Sequence, residues 1–316
     1  MTADRPLLGI ALMLGFCFTA PLGDATAKYL GQAAFAQPVF QVVLLRFLMQ
    51  ALFLIPIAVA TGRTLRMSPR ISGFVFLRTV LHVLGVGLMF LSLRFLPLAE
   101  TIAIAFVMPF ILLLLGWSLM GEEVGWRRLA ACAVGFLGTL LVIQPSFADV
   151  GWPALLPLGV ALNFALFMLV TRRIAKETDP IAMQGVSGAM AMAVLLPLAA
   201  LGWATGSETL SLAPIPQEAI GFYILLGLLG SFGHLLMTWS LRFAPSATLA
   251  PMQYLEIPFA TLIGWLAFSD LPNGLAAVGI VITMGAGLYV ILRERAIARQ
   301  TVTVPQAAGG GPGAAV

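Results

Sequence analysis

Ten successive runs of mainly apolar residues dominate this 316-residue chain, near 7–29, 38–60, 72–93, 98–120, 128–145, 152–171, 181–203, 218–241, 246–268 and 274–292. An α-helix needs about 20 such residues to cross the hydrocarbon core of a bilayer. Composition agrees: 60% of residues are apolar and 9% charged, against about 25% charged in soluble domains. Mean hydropathy is +1.01. So few charges cannot coat a water-facing surface, which excludes soluble enzymes, nucleic-acid binders and disordered proteins. Continuous runs of this length also exclude a β-barrel, whose strands alternate. The expected fold is an all-α polytopic membrane protein with ten transmembrane helices.

The basic residues orient it. Arg5, Arg63, Arg66, Arg70, Arg127, Arg128, Arg172, Arg173, Lys176, Arg242, Arg293, Arg295 and Arg299 all fall on the side of the N-terminus, and Arg94 alone in a loop on the other side. By the positive-inside rule both termini are expected in the cytoplasm, in a bacterial-type inner membrane. Arg5 before an apolar run, with Ala25-Thr26-Ala27 behind it, also has the look of a cleavable signal. Cleavage would leave nine helices and break the repeat described next, so this segment is read as a span. Cys17 and Cys132 have neither disulfide nor metal-ligand spacing.

The chain repeats itself. Leu88-Met89-Phe90-Leu91-Ser92-Leu93-Arg94-Phe95-Leu96-Pro97 returns 148 residues later as Leu236-Met237-Thr238-Trp239-Ser240-Leu241-Arg242-Phe243-Ala244-Pro245. Gly85 meets Gly233 and Gly116-Trp117 meets Gly264-Trp265 at the same offset. The expected units are residues 1–148 and 149–295, five helices each, with 296–316 a disordered cytoplasmic tail. Five is odd, so the second unit enters the membrane from the opposite side. Inverted repeats are the architecture of secondary transporters, with the site between the halves near the midplane.

Two copies of a helix-loop-helix close the halves: Pro109-Phe110 to Gly116-Trp117 then Gly121-Glu122-Glu123, and Pro258-Phe259 to Gly264-Trp265 then Ser269-Asp270. With the ten spans and two repeats, they make residues 7–292 resemble the EamA-type members of the drug/metabolite transporter superfamily. The second copy departs from the family pattern by Ser-Asp in place of Gly-Glu. The resemblance implies a transporter of small metabolites with peripheral fifth and tenth helices. It leaves the substrate open among amino acids, nucleoside-type metabolites, riboflavin and others.

Ionisable residues inside spans cost at least about 2.5–3.5 kcal/mol each at the centre and therefore need a reason. They are Asp24, Lys28, Arg46, Arg78, His82, His234 and Glu256, with Glu100 nearer an interface. At a rise of 1.5 Å per residue, Glu256 and His82 both lie ~15 Å from the near ends of their spans. Across the repeat, Arg78 meets Leu226, His82 meets Gly230, Val86 meets His234 and Met108 meets Glu256. The charges appear where the halves differ, which suggests specialised positions. Pro251 and Pro258 flank Glu256 and loosen its helix. Glu256 reads as a partner for a substrate cation, as a coupling carboxylate, or as a permanent partner of Arg46, Arg78 or Lys28.

Arg46 and Arg78 lack acidic neighbours one turn away and suit a substrate carboxylate or phosphate, or else snorkel or bridge to Glu256. Asp24 and Lys28 share one helix face, and an intrahelical pair is the favoured reading over a lining of the outer mouth. His82 and His234 read as proton carriers or as interhelical hydrogen-bonders. Gln253, Tyr254 and Trp239 are candidate substrate contacts. Gly227-Leu228-Leu229-Gly230-Ser231-Phe232-Gly233 reads as close helix packing, not a phosphate loop.

The substrate-binding set is thus Glu256, Arg46, Arg78, His82, Tyr254, Gln253 and Trp239. The coupling or gating set is Asp24, Lys28, Glu100 and His234. The expected function is alternating-access transport of a small polar metabolite carrying both charges, such as an amino acid or derivative. A flat aromatic metabolite such as riboflavin is the alternative, and an intramembrane enzyme or a channel represents other classes. No catalytic residues, metal or cofactor are expected. Partners are the small-molecule substrate and the lipid bilayer, with proton or counter-substrate coupling and oligomeric state open.

Overall fold

A computed structural model describes residues 5–32, 34–120, 126–244 and 249–302. Prolines and polar caps start many of its helices. Pro38, Pro97 and Pro216 stand just before helices, Pro69 follows the Ser68 cap, and Pro180 follows the Asp179 cap. Proline suits these places because the first-turn N–H has no helical acceptor. Asp179 accepts from the amides of Ile181 and Ala182, and Gly206, at φ +65°, ends the same helix in the left-handed region.

The helices are α1 (Pro6–Gly31), α2 (Val39–Ala60), α3 (Pro69–Ser92), α4 (Leu98–Ala105), α5 (Met108–Met120), α6 (Trp126–Val150), α7 (Leu156–Ile174), α8 (Pro180–Thr205), α9 (Gln217–Phe243), α10 (Glu256–Phe268) and α11 (Gly274–Val302). Short 3-10 segments, Trp152–Leu155 and Ala250–Leu255, precede α7 and α10. Among the described residues, seven helices are long and apolar enough to cross a membrane unaided. The fourth and ninth spans differ from the continuous runs expected. The fourth breaks at Phe106–Val107 between α4 and α5, and the ninth changes from 3-10 to α at Glu256. The breaks are repeat equivalents. Pro109 has no N–H to give the carbonyl of Ala105, nor Pro258 that of Tyr254, so neither helix closes its ladder across the break.

Helix α11 runs to Val302, so residues 296–302, expected as tail, are helical; the rest of that tail lies outside the described residues.

Helix pairing follows the repeat. α1 packs on α9 and α3 on α7, contacts that exchange when the two halves are exchanged. α2 packs on α8 and α6 on α11, contacts that map onto themselves, and α4 of the fourth span packs on α10 of the ninth. The fold is two inverted five-helix repeats. Lipid-facing positions are large and apolar, among them Phe18, Leu52, Leu84, Leu201 and Leu266. Trp203 stands near the end of α8, where an indole suits the interface.

Two ends can be told apart. The near end carries Arg5, whose amide bonds the carbonyl of Phe243, and Arg63, ion-paired to Asp179. The far end carries Lys28, ion-paired to Asp270 at 2.6 Å.

Candidate functional site

A central cavity of about 120 Å³ lies between the repeats. It is lined from α1 by Phe16, Thr19 and Asp24, from α2 by Arg46, and from α3 by Gly85, Val86 and Phe90. Ala105, Phe106 and Met108 come from the first helix break, and Gln253 and Glu256 from the second; α7 and α9 add Phe164, Gly230, Gly233 and His234. Four pairs of repeat-equivalent positions meet here: Gly85 with Gly233, Val86 with His234, Ala105 with Gln253, and Met108 with Glu256. The cavity therefore sits where the halves are related, and the second half supplies the polar member of three pairs. Broken helices beside a midplane cavity offer backbone groups to a ligand where lipid cannot reach them.

Asp24 and Glu256 have no ion-pair contact among the described residues. Lys28–Asp270 and Arg63–Asp179 are the ion pairs among the described residues, so Glu256 has no permanent pairing with Arg46, Arg78 or Lys28. Asp24 is close enough to feel the charges of both Arg46 and Glu256. Gln253 is buried with Oε1 unpartnered, and Arg46 is buried with Nη1 unpartnered. The Arg46 guanidinium lies so close to α9 that a Cβ on Gly230 would stand 2.8 Å from its Nε. Glycine at 230 gives the guanidinium its place, which bears out close packing along the Gly227–Gly233 stretch.

Behind Arg46 stand the histidines. Arg46 Nη2 lies 3.4 Å from His82 Nε2, which lies 3.0 Å from His234 Nε2. Arginine only donates, and in the His82–His234 contact one Nε2 carries the shared proton while the other accepts, the tautomer setting which. Both Nδ1 atoms are buried and unpartnered. Phe16, Phe47, Phe164 and Phe167 surround the two imidazoles with ring centroids 4.9–6.1 Å away.

Several expected residues lie elsewhere. Lys28 does not pair with Asp24. Its ammonium reaches Asp270 and the carbonyl of Leu96 at 3.3 Å, because a partner in the far-end loop satisfies it without bending back one turn. It lines a second, far-end vestibule with Arg94, Gln32, Gln37 and Asp270. Phe90 is common to both walls and separates vestibule from cavity. Glu100 is buried and accepts from Ser146 Oγ at 2.7 Å. Tyr254 packs on Phe106 at 5.2 Å and lies outside the cavity wall, as does Trp239, which packs into an apolar cluster with Met237 and Leu241. His82 is not part of the cavity wall and reaches it through His234 and Arg46.

Arg78 is fully buried away from the cavity. Its Nε donates to Thr171 Oγ1 at 2.9 Å, and its Nη1 donates to Gln184 Oε1 at 3.0 Å and Ser187 Oγ at 3.1 Å. Gln50 Nε2 donates to the Gln184 carbonyl at 2.8 Å. A search for charges passes over Gln50, Thr171, Gln184 and Ser187; neutral polar residues inside apolar runs were the available signal.

Known proteins place this architecture. The model of the EamA-like transporter family matches residues 7–144 and 151–293, and the chain belongs to that family. It is a membrane transporter, not an enzyme. It is 25% identical over 289 residues to the S-adenosylmethionine uptake transporter of Rickettsia prowazekii (strain Madrid E), covering 92% of this chain and 94% of that one. It is 29% identical over 226 residues to the riboflavin transporter of Rhizobium johnstonii (strain DSM 114642 / LMG 32736 / 3841), covering 69% of each. A solved crystal structure shares the fold at TM-score 0.64 and 18% identity, over 92% of this chain and 98% of that one.

Proposed function

We propose that the chain is an alternating-access secondary transporter whose substrate is a small metabolite bearing both charges, an amino acid or amino-acid derivative. The observation that carries this is the cavity's set of charges: Asp24 and Glu256 without ion-pair partners, opposite an Arg46 with a free nitrogen. Two carboxylates suit a substrate with an ammonium and a second cationic centre. Arg46 suits its carboxylate. Phe16, Phe90, Phe106 and Phe164 line the same space and suit a flat or apolar portion. S-adenosylmethionine, which relatives of this chain are named for carrying, has all of these groups.

In this reading Asp24 and Glu256 bind the cations, His234 and His82 back the site, and proton or counter-substrate movement drives accumulation. The near end, with its excess of Arg and Lys, faces the cytoplasm of a bacterial inner membrane. Residues 1–148 and 149–295 form the two moving units.

Riboflavin remains a second reading, favoured by the four phenylalanines and by relatives named for it. The deciding experiment is uptake by purified protein in liposomes. Saturable uptake of S-adenosylmethionine, stimulated by unlabelled compound inside, supports the charged-substrate reading. Saturable riboflavin uptake that survives Glu256→Gln would replace it, and flux linear in concentration would indicate a channel.

A further inference from the structure

Arg78 combines properties that a purely structural guanidinium has no use for. It belongs to the first repeat, and all three of its hydrogen-bond acceptors, Thr171, Gln184 and Ser187, belong to the second. All are neutral. Nη2, beside the doubly engaged Nη1, is buried without a partner, and no carboxylate of the described residues is in ion-pair contact with it. Its guanidinium stacks 4.5 Å from the Phe167 ring. That ring also touches His234, a residue of the cavity wall, at 5.8 Å. A positive charge thus waits one aromatic ring from the cavity, while its bonds tie α3 to α7 and α8. On its near-end side, Ile71, Val75, Ile174 and Met183 form an apolar plug.

A carboxylate is a stronger partner for the guanidinium than an amide or hydroxyl, because it sets a full negative charge against the positive one. The preferred geometry is bidentate, along one edge of the guanidinium. The Nη1–Nη2 edge is half free, and a carboxylate bridging it takes one of the two Nη1 hydrogens and so displaces one of the two α8 acceptors, Gln184 or Ser187. We propose that Arg78 is a substrate-released latch: the anionic end of the cargo, moving past the His82–His234 pair, binds the Nη1–Nη2 edge and loosens the tie between α3 and α8. The near end then opens only behind a cargo that carries an anion. Arg78 is a second station for the carboxylate that Arg46 first holds, and a gate on specificity. This deepens the charged-substrate reading and rests on it.

The test uses the full chain in liposomes with Cys17→Ser and Cys132→Ser, and a single reporter thiol in the plug, Met183→Cys. Labelling of that thiol by a maleimide reagent reports near-end opening. S-adenosylmethionine should raise the labelling rate at least about fivefold, as a charged partner replaces a neutral one at the guanidinium. Its decarboxylated analogue, which keeps both cations, should stabilise the protein against heat yet leave labelling unchanged. Arg78→Lys should retain thermal stabilisation by S-adenosylmethionine but lose the labelling response and turnover. Ser187→Ala, alone and with Gln184→Leu, should raise labelling without any ligand.

Equal labelling with and without the carboxylate, or a normal response in Arg78→Lys, would overturn the latch. So would parental ligand-free labelling in Ser187→Ala, which reads the latch even where the double variant does not fold. Failure of the charged-substrate reading looks different: neither compound stabilises the parent, while the Ser187→Ala effect persists.

Discussion

The two ends of this transporter are joined across the repeats by different chemistry. At the far end a charged pair, Lys28–Asp270, is only partly buried, its side chains 8% and 29% exposed. Beside it Tyr223 and Gln41 both donate to Gln37 Oε1, at 3.0 and 2.7 Å, and the Ala213 amide donates to Gln41 at 2.6 Å. A vestibule there has polar walls with Arg94, Gln32 and Lys28, and Phe90 alone is common to the vestibule and cavity linings. At the near end the ion pair Arg63–Asp179 sits outside, and the interior closure consists of an arginine on neutral acceptors above an apolar plug. A single sequence repeat thus carries two unlike gates. Ion pairs near water exchange easily because water screens them, whereas a buried guanidinium exchanges only for a better partner.

Breaking the cavity between these gates should have the largest effect. Glu256→Gln should fold normally and lower transport at least about tenfold, measured as initial uptake rate in liposomes. Parental uptake of a cationic substrate by that variant would remove Glu256 from the site. Next is Phe90→Ala, which deletes the side chain shared by vestibule and cavity. Labelling of a Thr19→Cys reporter from the far side should rise about fivefold, since a truncated core aromatic leaves an open path. An unchanged rate would mean that another side chain closes that side.

Smaller effects test how each end is held. Gly230→Ala drives a Cβ into the Arg46 guanidinium, so the KM for a carboxylate-bearing substrate should rise about threefold to tenfold, with a modest fall in Tm. Lys28→Met leaves the partly buried Asp270 carboxylate without its partner, costing about 1–3 kcal/mol. The reversed pair, Lys28→Asp with Asp270→Lys, should recover most of the lost Tm. Least of all, Trp239→Phe should leave KM within about twofold, because the indole packs in a cluster away from the cavity. A large KM change there would return Trp239 to the binding set.

Much of the fold was legible because lipid imposes a simple rule: about 20 apolar residues per crossing, with basic loops on one side. Even the break at Glu256 was signalled by Pro251 and Pro258. The matching break at Phe106–Val107 was passed over because the run 98–120 is apolar throughout and a lone Pro109 sits past the break. The site was legible in part. Glu256, Gln253, Arg46, Asp24 and His234 do share one cavity. Lys28 was misjudged because the four-residue spacing to Asp24 is visible in sequence, whereas Asp270 lies 242 residues away. Tyr254 and Trp239 are amphipathic side chains, and which way a helix turns them depends on its neighbours.

The sequence by itself determined the medium, the inverted repeat and the short list of ions that the membrane must tolerate. Tertiary structure decided which of those ions are satisfied. In a bilayer interior a charge is governed by what lies within a few ångströms, and those neighbours come from helices far apart in the chain. Only packing could separate Lys28, quieted by Asp270, from Glu256 and Asp24, which face the cavity without an ion-pair partner, and Arg78, held by neutral groups alone.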